Sequence, residues 1–158
     1  DVIGIGGGET WDDVIEAVKN EYHVVTGGGR TVSAVGGWLQ GGGLSFSSRQ
    51  YGIGVDQVVD FTVVLPNGTI TTADRCTNPD LFWALRGGGG GTFGAVTHAH
   101  YKLHETTPIV KVEYWLLIGQ ISESDLEYVI KASEQWLDFW IEKSPTLDSR
   151  WCGGYFNM

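Results

Sequence analysis

For its first hundred residues the chain alternates short apolar runs with glycine-rich breaks. Val2–Ile5 reads as a strand running into Gly6-Gly7-Gly8. Thr10 is placed to cap a helix over residues 11–20, because Trp11, Val14, Ile15 and Val18 recur along one helical face. His23–Thr26 is predicted as a short buried strand before the glycine-rich stretch Gly27–Gly43, and Ser45–Tyr51 as a helical turn. Val58–Leu65 and Thr69–Thr72 are rich in β-branched residues and flank Pro66-Asn67-Gly68, a strong hairpin signal. Asn78 is expected to cap a helix through Leu85, with Pro79 in the first position and Leu81, Phe82 and Leu85 facing inward. Ala95–Leu103 is a strand with Val96, His98, His100 and Lys102 on one face and Ala95, Thr97, Ala99 and Tyr101 on the other.

After Thr106-Thr107-Pro108 the texture changes. Ile109–Ile118 reads as a strand, Ser122–Ile141 as a long amphipathic helix, and Arg150–Phe156 as a further strand. A boundary near 104–108 divides the chain into a first domain, 1–106, and the start of a second, 107–158. Hairpins with intervening helices, without regular strand–helix alternation, indicate an α+β class.

Composition adds limits. With 42% hydrophobic and 18% charged residues the chain has material for a core and is not of the disordered class. A net charge of -9 disfavours a polyanionic partner such as nucleic acid. No apolar run approaches the ~18 residues of a membrane span, and no leader is visible. Cys76 and Cys152 are too few for a disulfide framework but suffice for one bridge. His98 and His100 share a strand face near His104, and a metal site would need a further convergent ligand, so none is assigned.

The 24 glycines are the anomaly, about twice the usual share. Gly89-Gly90-Gly91-Thr92-Phe93-Gly94 fits the dinucleotide fingerprint in spacing only. It follows a helix and opens a strand, the reverse of what that motif requires. No Gly-Lys-Ser/Thr is present, which excludes a P-loop. Two readings of Gly27–Gly43 remain: tight turns, or bare amides lining an extended anionic ligand.

Three strings then carry a resemblance. Thr31-Val32-Ser33-Ala34-Val35-Gly36-Gly37-Trp38-Leu39-Gln40-Gly41-Gly42-Gly43 resembles the flavin-cradling segment of berberine-bridge-enzyme-like oxidases, which are FAD proteins of the vanillyl-alcohol-oxidase type. Tyr51-Gly52-Ile53-Gly54-Val55-Asp56-Gln57-Val58 and the run from Asn78 to Thr97 are similar to further family strings, in the family's order. The resemblance covers roughly residues 24–104. It implies the second subdomain of a PCMH-type FAD-binding domain, a mainly antiparallel sheet with flanking helices, running into an α+β substrate-binding domain. The first subdomain, with the pyrophosphate loop and the histidine usually bonded to the flavin, is expected in other segments of the same polypeptide. So are several C-terminal active-site groups, and no catalytic base is assigned here.

By the same resemblance, Gly29, Arg30, Thr31 and Val32, with Gly36, Gly37, Gln40, Gly41, Gly42 and Leu44, lie along the isoalloxazine and pyrophosphate of FAD. Ala95 and Val96 fall near the adenine. Many members carry a second covalent link from a cysteine at the position of Gly29 or Arg30, and no cysteine lies between 26 and 40 here. Arg30 faces either a flavin carbonyl or phosphate, or solvent. Val32 matches a position where the family leaves room for oxygen beside the flavin, yet valine is also an ordinary core residue. Trp136, Phe139 and Trp140 read as packing on the long helix, while Glu113, Trp115 and Tyr155 are candidates to face the flavin. The implied activity is that of an oxidase acting on a small alcohol, sugar or secondary metabolite with O₂. A flavin dehydrogenase and a flavin-free binding or storage protein are the alternatives. Asn67-Gly68-Thr69 is an N-glycosylation sequon at a hairpin tip, which fits a secreted protein.

Overall fold

The computed structural model describes residues 1–27, 29–110 and 122–151. Asp1–Thr107 form one compact unit and Pro108–Trp151 another. The first unit is built on a four-stranded antiparallel sheet in the order β1-β5-β3-β4, comprising β1 (Val2–Gly6), β3 (Val58–Val64), β4 (Ile70–Ala73) and β5 (Ala95–Lys102). Its helices are α1 (Trp11–Val18), α2 (Ser48–Tyr51) and α3 (Pro79–Leu85), and the α+β architecture is the one expected.

β5 is paired on both edges: Ile3 and Ile5 of β1 lie opposite Tyr101 and Ala99, and Phe61 of β3 also faces Ala99. The period-2 pattern of β5 sends Ala99 and Tyr101 into the core and His98, His100 and Lys102 to solvent. Ile5, Phe61, Val63, Ala73, Ala99 and Tyr101 therefore share a buried cluster with Trp11 and Val14 of α1, with Val35 and Leu39, and with Phe82 and Leu85 of α3. On the open face His100 pairs with Asp60, Nδ1 to Oδ1 at 2.8 Å.

α1 begins as its sequence dictates. Thr10 Oγ1 accepts from the Asp13 amide at 3.4 Å, and Asp13 Oδ2 accepts from the Thr10 amide at 2.8 Å, a reciprocal cap. These bonds hold the Asp13 carboxyl below the usual carboxylate range.

Two local expectations are corrected. The segment predicted as a strand over His23–Thr26 forms only β2 (Tyr22–His23), which pairs with β6 (His104–Glu105), while Val24 and Val25 are buried outside any strand. Asn78 holds the N-cap position of α3, but its side chain makes no cap bond. It sits in the left-handed region, φ 49°, and its amide donates to Thr71 Oγ1 and Thr72 O, tying the helix start to β4. The hairpin turns on Pro66-Asn67-Gly68 as expected, with Leu65 N donating to Thr69 O at 2.8 Å across it. Gly68 N donates to Leu65 O at 2.8 Å, only Gly68 takes a positive φ, and Asn67 Oδ1 accepts from the Thr69 amide at 3.0 Å.

At the β2–β6 ribbon His104 stacks on Tyr51, centroids 4.3 Å apart, and faces His23 at 5.4 Å. Its Nε2 lies 2.9 Å from Gln57 Oε1, which only accepts, so this nitrogen carries the proton. Burial, then the charges of His23 and Lys102, push His104 below its ordinary 6.5.

In the second unit α4 (Glu123–Lys143) starts from Ser122, whose hydroxyl and the Asp125 carboxylate form another reciprocal cap. Val129 and Trp140 are half-buried, while Trp136 and Phe139 are stacked but exposed, so two of the three expected packing aromatics lie on the surface of this unit. Most of the Ile109–Ile118 and Arg150–Phe156 expectations, with Glu113, Trp115, Cys152 and Tyr155, lies outside the described residues. No helix of the described residues is long and apolar enough to cross a membrane.

The buried Tyr101 hydroxyl donates to Val25 O at 2.6 Å. In the intact protein Tyr101→Phe is expected to cost about 1–3 kcal/mol by leaving that carbonyl without its donor, read from denaturant unfolding. Because folding lowers the His104 pKa, its contribution is present above the ordinary value and is lost as pH falls through it. His104→Gln keeps an N–H donor without the charge. The loss of unfolding midpoint between about pH 7.5 and pH 5 should be shallower in that variant than in the parent, and an unchanged slope would remove His104 from the account.

Candidate cofactor site

The glycine clusters far apart in sequence meet at one end of the sheet. Gly7, just past β1, donates to Thr97 O at 2.7 Å, and a Cβ on it would stand 2.9 Å from Val96 O. A Cβ on Gly36 would lie 3.5 Å from Gly7 O, and one on Gly90 would lie 2.7 Å from Gly36 O. A side chain on Gly7 or Gly90 would therefore prise these main chains apart, whereas the Cβ of a residue at Gly36 would reach Gly7 O at an ordinary contact distance and crowd Ser33 Oγ at 2.9 Å.

The segment carrying Gly36 and Gly37 is a π-helical stretch, Ala34–Leu39, which opens on Ser33, whose Oγ accepts from the Gly36 amide at 3.3 Å. Gln40 closes it: its Nε2 donates to Val35 O at 3.2 Å and to Gly36 O at 3.1 Å. Its own carbonyl accepts from the Gly89 amide at 3.0 Å. Gln40 is therefore a buried clasp between the two glycine-rich loops, and its Oε1 is buried with no partner among the described residues.

Of the resemblance-derived residues, Gly36, Gly37, Gln40, Ala95 and Val96 come together through Gly7 and the loop at 87–91. Gly41 and Gly42 continue from the π-helical stretch: Gly41 N donates to Gly37 O at 3.0 Å and Gly42 N to Leu39 O at 3.0 Å. Leu44 follows with its side chain 79% exposed, an open apolar surface beside this segment. Gly29–Val32 are fixed differently, by the start of α1. The Asp12 amide donates to Arg30 O at 2.8 Å and the Trp11 amide to Val32 O at 3.1 Å. The Arg30 guanidinium, one of whose two sequence readings was a flavin partner, pairs with Asp12 and Glu16 of α1. Thr31 is exposed and Val32 is 45% exposed, so Val32 is not filling a core. Gly7, Gly8, Gly90 and Gly91 were not named as site residues from sequence, although both clusters stood out as glycine runs.

The patch fits a flat or extended ligand that needs close approach to main chain. A Cβ at Gly8, Gly37 or Gly91 would meet nothing within 4 Å, so these three present bare backbone to open space. Gly8, Gly37 and Gly91 each follow directly on Gly7, Gly36 and Gly90 in the chain. Arg86, the cation nearest the 87–91 loop in sequence, is engaged with Val55 O and Asp56. Among the described residues no three His, Cys, Asp or Glu side chains converge as a metal site.

Where these loops converge, main chain stands in place of side chains. A family model of FAD-binding domains matches residues 1–74. An FAD-linked oxidoreductase of Aspergillus flavipes, ffsJ, is 38% identical over 157 residues, 98% of this chain and 24% of that protein. The VAO-type flavoprotein MtVAO615 of Myceliophthora thermophila superimposes with a TM-score of 0.64 at 38% identity, over 65% of this chain and 19% of its own. Berberine bridge enzyme from Eschscholzia californica gives 0.62 at 34%, over 67% of this chain and 22% of its own. The chain carries part of an FAD-binding domain, so its cofactor is FAD, and it is similar to FAD-linked oxidoreductases of the vanillyl-alcohol-oxidase, berberine-bridge-enzyme-like type. It spans about a fifth to a quarter of the length of these relatives.

Proposed function

We propose that the chain forms one wall of the FAD site of a secreted oxidase. The overall reaction removes two electrons and two protons from a small alcohol, sugar or secondary metabolite and reduces O₂ to hydrogen peroxide. The observation that carries the reading is the open main chain of Gly8, Gly37 and Gly91 beside the packed contacts of Gly7, Gly36 and Gly90. Bound FAD supplies the hydride-accepting and electron-passing chemistry.

The chain's own residues bind and orient. Gly36, Gly37, Gly41 and Gly42, with Gly90 and Gly91, admit the cofactor to main-chain distance, and Ala95 and Val96 border its adenine end. Gly29, Arg30 and Thr31 contribute backbone, since the Arg30 side chain is held by Asp12 and Glu16. Gln40 keeps the two loops in register. Val32, half-exposed, matches by resemblance the position where the family leaves room for oxygen beside the flavin, which favours O₂ as acceptor over a dehydrogenase's partner.

The intact protein is expected to be yellow, with absorbance near ~450 nm, and to release peroxide when its substrate is turned over in air. Turnover without peroxide would make it a dehydrogenase, and a colourless protein would leave a binding or storage role. Gly37→Ala isolates the cradle. Its Cβ meets no protein atom within 4 Å, so stability should hold or rise by up to about 1 kcal/mol while flavin occupancy falls severalfold. Full occupancy in that variant would remove Gly37 from the cofactor wall.

Secretion is supported by the sequon alone. Asn67 and Thr69 are exposed at the hairpin tip, where a glycan has room and Asn67 Oδ1 already accepts from the Thr69 amide. Peptide mass spectrometry of the native protein should find Asn67 converted to aspartate by glycosidase treatment. Complete unmodified Asn67 in protein from culture medium would refute the modification.

A further inference from the structure

Three glycines from three separate segments close on one indole, that of Trp38. A Cβ at Gly27 would fall 2.5 Å from Nε1 and 3.0 Å from Cδ1, on the pyrrole edge. A Cβ at Gly43 would fall 2.8 Å from Cζ3 and 2.9 Å from Cε3, and one at Gly54 would overlap Cζ3 and lie 2.7 Å from Cη2, both on the benzo edge. Side-chain carbons do not approach other atoms within 3.0 Å, so none of the three positions can carry one while the ring stays in place. Trp11 closes a further side edge-on, with centroids 5.0 Å apart. The Gly54 amide donates to Gly43 O at 2.7 Å, which locks the two benzo-edge glycines to each other.

The chain continues directly from these contacts into the segments that the proposed function assigns to FAD. Gly27 lies just before Gly29–Val32, and Gly43 sits between Gly42 and Leu44. Part of the glycine richness is therefore explained by a protein side chain and not by the cofactor. We infer that Trp38 is a positioning residue: its indole is the spacer that sets Gly29–Val32 and Gly41–Leu44 at the separation the flavin needs. The inference rests on the reading of those segments as the FAD wall. It makes Trp38 and the glycines around it one unit, in which a change of ring size and a change of glycine must compensate.

The test uses the full-length, FAD-bearing protein and three variants: Gly54→Ala, Trp38→Phe, and both together. Phenylalanine lacks the outer benzo carbons, and the methyl that Gly54→Ala adds would stand where Cζ3 and Cη2 were. Flavin occupancy, the visible circular dichroism of the bound flavin and the unfolding midpoint are measured for each. Each single change is expected to lower occupancy severalfold and to alter the flavin dichroism. The double variant should recover most of both, a strong departure from additivity.

If Gly54→Ala alone does not accumulate, the comparison of Trp38→Phe with the double variant still decides, because the added methyl must raise occupancy. Additive losses in flavin occupancy and dichroism would overturn the inference. So would recovery of the unfolding midpoint without recovery of the flavin signals, since the ring would then be core filling only. A colourless parent protein would instead overturn the FAD reading of the preceding section, and the positioning role with it. A yellow parent with additive variants would overturn the role of Trp38 alone.

Discussion

Trp11 touches Tyr101 of the central strand on one side and Trp38 of the glycine-rich stretch on the other, at centroid distances of 5.6 and 5.0 Å. This three-ring contact joins the central strand, α1 and the glycine-rich stretch. Tyr101 extends it by donating to Val25 O, at the entry to the glycine-rich stretch. Segments made of glycine bury little apolar area of their own, so their position must be imposed by neighbours that do. Here the imposing groups are aromatic and the imposed ones are bare main chain. Helix α1 then holds the carbonyls of Arg30 and Val32 from its first amides, which occupies that helix end with protein groups.

The glycines consequently divide by cause. Gly27, Gly43 and Gly54 yield space to the Trp38 ring, and Gly7 and Gly90 yield space to other backbone. Gly8, Gly37 and Gly91 yield space to nothing in the protein. Only the last group presents bare backbone to open space, and the proposed FAD wall rests on it. A cradle of this type gains its shape from the packed glycines and its access from the open ones.

Much of the fold was legible because its local signals agree with its tertiary environment. The alternation along β5 and the cap, helix and apolar face from Thr10 to Val18 read directly, since each depends on residues a few positions apart. What did not read depends on distant partners. Asn78 has the composition of a cap, but a hydroxyl and a carbonyl of β4 hold its amide instead. The pairing of β2 with β6 joins two-residue strands more than eighty positions apart, too short to show a period. Arg30 found its carboxylates on α1, 18 and 14 residues earlier in the chain. At the site, Gly36, Gly37, Ala95 and Val96 were reached through resemblance, whereas Gly7 and Gly90 emerged only when the loops were seen in contact. Glycine carries no chemical label that separates a turn, a packing contact and a ligand wall.

A wall made of missing side chains inverts the usual logic of mutational mapping. Truncation scans find function by removing atoms, and at Gly37 or Gly91 there is nothing to remove. Such a scan would pass silently over the surface while reporting Trp11, Trp38 and Tyr101 as the sensitive positions. Genetic drift meets the same asymmetry, because nearly every codon change at these glycines adds bulk. The surface is thus vulnerable to gain of matter and blind to its loss, and a search by insertion of single methyl groups would trace its outline.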